Sequence, residues 1–177
     1  IAGALGKADP QNAAYYKKNA TTFNKQADAL DAALRKDQVS VPRKVLLTYH
    51  DAYAYFAKDF GWTIIGAVQP SSFSDPAPSE VARLIDQVKS EKVTTIFGSE
   101  VFPSAVLAEV GRATGARYED SLRDDDLPGK PGDAEHSWLG LMKYNYRTMI
   151  SGLGGTPTQL DAISISSSTS DSAVYPQ

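Results

Sequence analysis

The sequence predicts an α/β fold, a three-layer sandwich with a mostly parallel sheet of about four strands and a long amino-terminal helix. Apolar residues recur at helical spacing up to about residue 36, and short apolar runs then alternate with helical segments as far as residue 153. The chain has 177 residues, of which 42% are hydrophobic and 22% charged. That composition is typical of a soluble globular domain, and the length is sufficient for one domain with its own core.

The first element is predicted to be one long helix. Asp9 followed by Pro10 is a typical helix start, because proline at the first helical position loses no hydrogen bond. Apolar residues then recur at spacings of four and three, as they do on one buried helix face: Tyr16, Ala20, Phe23, Ala27, Leu30 and Leu34. The pattern ends near Lys36, which gives a helix of roughly 40 Å. Such a helix is long for a small domain, and it can pack along two lobes instead of one.

After Pro42 the pattern changes to alternating strands and helices. Four short apolar runs are predicted to be strands: 45–48, 63–68, 93–97 and 116–118. Helical segments separate and follow them: 52–60, 81–88, 103–114 and 137–153. Strands that alternate with helices of about 10 to 15 residues form βαβ units. We therefore expect a mostly parallel sheet that is covered on both faces.

The last part of the chain has a different composition. From residue 156 onward it is rich in Ser, Thr and Asp and shows little periodicity. We expect 154–177 to be a weakly structured tail, in which 160–165 can add an edge strand. The chain is thus divided into a long helix at 1–40, an α/β lobe at 41–153 and a Ser/Thr-rich tail at 154–177.

Charge and cysteine content exclude several classes of function. The net charge is −3, from 18 basic and 21 acidic residues that are mixed along the chain. Nucleic acid and anionic membrane surfaces are therefore poor candidate partners. The chain has no cysteine, which excludes disulfides, thiolate metal sites and cysteine nucleophiles. The longest apolar runs are far too short to span a bilayer.

Three ionisable residues follow predicted strands. His50 comes after the first strand, Glu100 after the third and Asp120 after the fourth. Ligands of open α/β sheets bind outside the carboxyl ends of the strands, and one imidazole with two carboxylates suits a divalent transition metal. On spacing alone, a hydrogen-bonded structural histidine and solvated carboxylates remain open as alternatives.

Several motifs resemble one family of proteins. The segment 50–61, HDAYAYFAKDFG, resembles the block HDAFGYFARDYG of the metal-binding solute-binding proteins of bacterial ABC importers. TIFGSE at 95–100 is similar to the IF.E strand of that family. YEDSL and WLGLMKYN, at 118–122 and 138–145, resemble its LYSDSLG and GTYLGMMRYN motifs. The resemblance runs in order through 1–153, and the opening segment is similar to the family's long inter-lobe helix.

The resemblance implies a set of metal ligands. In that family a metal lies between two lobes, held by two histidines of the first lobe and three residues of the second. The second-lobe ligands correspond to His50, Glu100 and Asp120 of this sequence. The resemblance implies that this chain is the carboxy-terminal lobe with its inter-lobe connecting helix, and that the amino-terminal lobe with its two histidines is missing.

The resemblance also implies a function in transport. The expected protein is an extracytoplasmic receptor, either periplasmic or a membrane-anchored lipoprotein, that passes manganese, zinc or iron to an ABC permease in the membrane. The divalent metal is the transported ligand, and no catalytic residue or other cofactor is expected. Glu100 stands where the zinc-selective branch of the family usually has histidine, which favours Mn or Fe.

Two other classes of function remain open at this point. A surface adhesin or protein-interaction module is one alternative, because some members of the family on cell surfaces are described as adhesins. A metallohydrolase is the second alternative. It needs an open coordination position with a general base beside it, and neither a nearby second histidine nor a nucleophile elbow is present in the sequence.

Overall fold

The structure, a computed structural model, describes residues 1–69, 76–99 and 104–165. Its α-helices are α1 Ala2–Ala8, α2 Ala13–Asp37, α3 Ala54–Phe60, α4 Pro78–Ser90, α5 Ala105–Thr114, α6 Trp138–Gly152 and α7 Thr158–Ala162. Its strands are β1 Val45–His50, β2 Thr63–Gln69, β3 Thr95–Ser99 and β4 Arg117–Leu122. Short 3-10 helices lie at Pro10–Asn12 and Gln38–Ser40.

The four strands form one parallel sheet in the order β2-β1-β3-β4. The predicted parallel α/β fold is therefore confirmed. Each strand extends beyond its predicted apolar run, because half-buried and polar residues such as Tyr49 and His50 continue the ladder at the carboxyl ends.

Helices cover both faces of the sheet, and each face has its own core. Neighbouring residues of one strand point to opposite faces, so Leu46 and Leu47, both fully buried, belong to different cores. The core that contains Leu46 also takes side chains from α2, α6 and α7, whereas the core that contains Leu47 takes them from α4 and α5. This arrangement is the predicted three-layer sandwich.

The amino-terminal segment is divided instead of being one continuous helix. α1 precedes the predicted start, and the chain turns through Asp9 and the 3-10 helix before α2 begins. Pro10 occupies the first position after the turn, where its missing N–H is harmless. The Asp9 carboxylate accepts hydrogen bonds from Asn12 Nδ2 and from the Tyr16 hydroxyl, both at 2.8 Å, and these bonds hold the turn. With 25 residues, α2 is still roughly 37 Å long.

The expectation of a weakly structured tail with an edge strand at 160–165 is wrong for the residues up to 165. Residues 158–162 form α7, and Leu160 is fully buried in the same core as Leu34 of α2. The buried carboxylate of Asp37 accepts hydrogen bonds from Gln159 N at 2.9 Å and Leu160 N at 2.8 Å. The first N–H groups of a helix have no acceptor within the helix itself. Asp37, more than a hundred positions earlier in the chain, therefore caps the start of α7. Residues 166–177 lie outside the described ranges.

Two further contacts fasten this segment to the domain. The buried Lys143 of α6 donates from Nζ to the carbonyl oxygen of Ile163 at 2.8 Å. Gly155 lies against Ser40 and Val41, where an added Cβ would come within 2.8 Å of both side chains. The absence of a side chain at 155 therefore allows the segment to approach the end of α2. No helix in the described part of the chain has the length and apolar character needed to cross a membrane.

Candidate metal centre

The order of the strands places the carboxyl ends of β1 and β3 at the reversal point of the sheet. From β1 the chain moves outward to β2, and then returns past β1 to β3 on its other side. Ligand sites of open α/β sheets lie at such a point, outside the carboxyl ends of the two central strands. His50 is the last residue of β1, and Ser99 is the last residue of β3.

His50 is held by its own strand. Its side chain is half-buried, and its ring lies edge-to-face against Tyr49 with the ring centroids 4.5 Å apart. The buried Thr48 donates from its hydroxyl to the carbonyl oxygen of His50 at 2.7 Å. The backbone at the end of β1 is therefore fixed, and an imidazole is positioned at the carboxyl edge of the sheet.

Asp120 lies at an irregular point of β4. Phe97 of β3 pairs with Glu119, and Ser99 pairs with Leu122, so β4 has one residue more than β3 over this stretch. Tyr118 packs against one core and Leu122 belongs to the other, although residues four apart on a regular strand share a face. This is a β-bulge at residues 120–121, a device that redirects side chains beside functional sites. The Asp120 side chain is exposed.

Asn145 of α6 fixes the end of β4 just after the bulge. Its side-chain amide is buried, accepts a hydrogen bond from Arg123 N at 2.9 Å and donates one to Arg123 O at 2.8 Å. The amide thus pairs with the backbone as a neighbouring strand would. This contact anchors the carboxyl end of β4 to the helix behind the sheet, three residues from Asp120.

Glu100, the third predicted ligand, lies outside the described ranges, as do residues 101–103 and 70–75. The described neighbours of Glu100 are Ser99, which is buried at the end of β3, and Ser104, the N-cap of α5. The Ser104 hydroxyl accepts a hydrogen bond from Leu107 N at 3.2 Å.

The described residues alone form no three-residue metal site. Among them there is no group of three or more His, Cys, Asp and Glu side chains close enough to hold a metal ion. His50 and Asp120 are the two predicted ligands that the structure describes. β3 lies between their strands, and strands are about 4.8 Å apart, so the axes of β1 and β4 are separated by roughly 10 Å.

Tyr118 is a residue that sequence reasoning did not single out. It lies two positions before Asp120, its hydroxyl accepts a hydrogen bond from Ser104 N at 3.0 Å, and its ring crosses Gly98 of β3. Burial raises the pKa of the Tyr118 hydroxyl, the hydrogen bond from Ser104 lowers it, and the negative charge of Asp120 raises it further. The one signal in the sequence was Gly98, directly after the predicted strand 93–97, because a glycine in a strand can mark the close approach of another group.

The chemistry of the expected donors suits a divalent transition metal. Imidazole binds zinc, iron and other borderline metals, whereas carboxylates also bind harder ions such as manganese. A set of one imidazole and two carboxylates supplies three donors. Four- to six-coordinate metals need further donors, which water or another part of the protein must supply.

A family model matches most of the chain. The model described as "Zinc-uptake complex component A periplasmic", ZnuA, matches residues 1–152. This range covers α1 to α6, including His50 and Asp120. It ends before α7.

Curated relatives bind three different metals according to their names. The iron-binding protein YfeA of Yersinia pestis is 28% identical over 156 residues, which are 87% of this chain and 50% of YfeA. The high-affinity zinc uptake system protein ZnuA of Brucella abortus is 32% identical over 66% of this chain and 35% of its own length. The manganese-binding lipoprotein MntA of Bacillus subtilis is 29% identical over 86% of this chain and 52% of its own length.

Solved structures show the same fold. The periplasmic zinc-binding protein TroA from Treponema pallidum superposes with a TM-score of 0.74 at 25% identity, covering 86% of this chain and 57% of TroA. The laminin-binding protein Lbp of Streptococcus pyogenes superposes with a TM-score of 0.70 at 28% identity, over 86% of this chain and 57% of Lbp.

The chain spans about half the length of the curated relatives it matches. The match over residues 1–152 includes the parallel sheet and both described candidate ligands. The predicted family is therefore confirmed, and the chain belongs to the ZnuA family of periplasmic zinc-uptake components.

Proposed function

We propose that the chain is the metal-binding lobe of an extracytoplasmic receptor that captures a divalent transition metal for an ABC importer. The observation that carries this proposal is the position of His50 at the reversal point of the sheet, near a β-bulge that redirects Asp120. Asp120 lies on β4, which is separated from the strand of His50 by β3. Membership of the ZnuA family supplies the context of uptake. The ligands proposed are His50, Glu100 and Asp120.

The sheet geometry supports a site shared by three strands. β1, β3 and β4 are neighbours in that order, and residue 100 follows the end of the middle strand. A cation above the end of β3 is within reach of an imidazole from one side and a carboxylate from the other. Glu100 would complete the set.

The donor set favours manganese or iron over zinc among the transported metals. Two carboxylates and one imidazole are harder ligands than a set with two imidazoles, and hard ligands suit Mn²⁺. The relatives named for iron and manganese, YfeA and MntA, match longer parts of the chain than the zinc-uptake protein from Brucella abortus. Zinc still binds such sites well, because its intrinsic affinity exceeds that of manganese.

A second lobe with two histidines is proposed to complete the coordination. The relatives are about twice as long as the matched region, and three donors leave a metal short of its usual number. Exposed aromatic surface supports a packing partner: Phe23 of α2 and Trp138 of α6 lie with their ring centroids 5.6 Å apart, and both are about half exposed. The long helix α2 would then act as a stiff connection between the lobes.

The proposed partner after metal capture is a membrane permease, and the proposed location is the periplasm or, as a lipoprotein, the outer side of the membrane. The family is described as periplasmic, and its relative MntA of Bacillus subtilis is named a lipoprotein. The protein acts in this proposal by binding and release of the metal and not by catalysis.

A role in adhesion is a second candidate function, favoured by one observation. The laminin-binding protein Lbp of Streptococcus pyogenes has the same fold over 86% of this chain. Laminin binding by this chain that is equally strong with and without metal would support adhesion as a separate activity.

Titration calorimetry with Mn²⁺ and Zn²⁺ tests the proposed ligands. His50→Ala, Glu100→Ala and Asp120→Ala should each weaken binding at least tenfold, which is about 1.4 kcal/mol. Asp125→Ala, in the exposed acidic loop, serves as a control and should bind like the unsubstituted chain. If the three ligand variants bind metal as tightly as the control does, the assignment of the site is wrong.

The same method tests the second lobe. A longer form of the protein that carries an amino-terminal lobe should bind Mn²⁺ at least a hundredfold more tightly than the 177-residue chain, which is about 2.8 kcal/mol or more. The reason is that each additional imidazole replaces a water ligand and the second lobe excludes solvent. Equal affinities would mean that the site is not shared between lobes.

A further inference from the structure

Tyr118 lies beside the candidate metal centre and contacts β3, the strand between those that carry His50 and Asp120. It belongs to β4, two residues before Asp120, and it packs against the same core as Tyr49, which precedes His50 on β1. Tyr49 and Tyr118 are both partly buried against this core, so β1 and β4 each contribute a phenol ring to the same face of the sheet. Tyr49 in turn holds the His50 ring at 4.5 Å between centroids.

The path of Tyr118 across the sheet depends on Gly98. A Cβ added at Gly98 would lie 2.6 Å from the Tyr118 hydroxyl oxygen and 2.8 Å from its Cε2 atom. Real Cβ atoms do not approach other atoms this closely. The Tyr118 ring thus occupies the space that a side chain at position 98 would need. Any residue larger than glycine at 98 would push the ring away from β3.

The hydroxyl of Tyr118 has a defined partner at the start of α5. It accepts the hydrogen bond of Ser104 N at 3.0 Å, and Ser104 is the N-cap of α5. The ring is half-buried, so this contact is partly shielded from water. Tyr118 is part of β4 and thus contacts both β3 and the start of α5.

We propose that Tyr118 is a positioning residue of the metal centre, which sets the separation between Asp120 and His50 and so determines the coordination geometry. The inference rests on the proposed function, because it assumes that these two side chains bind the metal. A tyrosine packed over Gly98 anchors β4 on β3, which also pairs with β1, and the bulge then directs Asp120 from a fixed point. Residues that support metal ligands in this way typically contribute 10- to 100-fold to affinity.

Co²⁺ is the probe for this proposal, because its visible absorption reports the number and geometry of its ligands. In the 177-residue chain, Tyr118→Phe should weaken Co²⁺ binding about tenfold and change the positions or intensities of the Co²⁺ bands. The ring stays in place in this variant and only the bond to Ser104 is lost. Tyr15→Phe, on the exposed part of α2, is the matched control and should leave both unchanged.

A second pair of variants separates positioning from folding. Gly98→Ala should displace the ring and alter the Co²⁺ spectrum more strongly than Tyr118→Phe does. Adding Tyr118→Ala to Gly98→Ala removes the clash, so the double variant should be about as stable as Tyr118→Ala alone, and its spectrum should still differ from the original. A stable Tyr118→Phe or Gly98→Ala variant with the original spectrum and affinity would overturn the proposal.

The outcomes distinguish this proposal from the proposed function. If the unsubstituted chain gives Co²⁺ bands that His50→Ala abolishes, while Tyr118→Phe leaves them unchanged, only the positioning role is wrong. If the unsubstituted chain gives no Co²⁺ bands, or if His50→Ala and Asp120→Ala do not change them, the proposed metal centre is wrong and the positioning role with it. Loss of Co²⁺ binding in Tyr118→Phe together with loss of cooperative thermal unfolding would also overturn the positioning role.

Discussion

The carboxylate of Asp37 accepts a hydrogen bond from the backbone N–H of Leu160 at 2.8 Å, across 123 positions of the sequence. Asp37 ends the long helix α2, and Leu160 is the fully buried residue of α7. A second bond, from Gln159 N at 2.9 Å, uses the other carboxylate oxygen. The carboxy-terminal helix is therefore fixed to the long amino-terminal helix through a buried cap.

Asp37→Ala should destabilise the chain by about 2 kcal/mol. The substitution leaves two N–H groups at the start of α7 without their acceptor, and lost caps and unsatisfied buried donors cost energies of this order. Urea unfolding measures the change. Asp31→Ala removes an exposed ion pair with Arg35 and is the control, for which a loss of about 0.5 kcal/mol or less is expected. Equal effects of the two substitutions would show that the cap on α7 contributes nothing.

Asn145→Ala should affect both stability and metal binding. The buried amide makes two hydrogen bonds to the backbone of Arg123, and their loss should cost about 2 kcal/mol of unfolding free energy. Because Arg123 follows the bulge that carries Asp120, we also expect weaker Mn²⁺ binding. Thr148→Ala on the same helix is the control for both measurements. Loss of stability with unchanged Mn²⁺ affinity would show that Asn145 supports only the fold.

Tyr146 should make the stability of the chain fall at high pH. Burial, and to a smaller extent the charge of Asp31, raise its pKa from 10.0 to about 12. The folded state therefore holds this proton more tightly than the unfolded state does, so the contribution is complete below pH 10 and is lost as pH rises through 12. The loss should approach about 2 kcal/mol. Tyr146→Phe keeps the packing on Phe56 and should flatten the decline between pH 10 and 12. A decline of the same size in both proteins would contradict the prediction.

The existence and order of the strands along the chain were predictable from periodicity and from the rules of parallel sheets, but not all of their ends were: Asp120, expected after the fourth strand, lies inside β4. Runs of apolar residues around Leu46 and Ile96 indicated buried strands, and the structure has these strands in a parallel sheet. The position of His50 at the end of β1 follows directly. Metal binding remains a prediction for His50, Glu100 and Asp120.

Other features depend on contacts between distant residues and could not be predicted locally. Nothing near Leu160 in the sequence indicates a helix cap, since the cap is Asp37. The bulge beside Asp120 is visible only when the pairing of β4 with β3 is known. The turn at Asp9 was assigned as a helix start, but α1 before it was not predicted, because seven residues with no buried side chain show no clear stripe.

A crystal structure with Mn²⁺, with the ion located by its anomalous scattering, tests the central claim most directly. The account predicts one ion at the carboxyl ends of β1, β3 and β4, with a His50 ring nitrogen and carboxylate oxygens of Glu100 and Asp120 at about 2.0–2.3 Å. An ion bound elsewhere, or His50 and Asp120 pointing to different faces of the domain with Mn²⁺ present, would contradict the account.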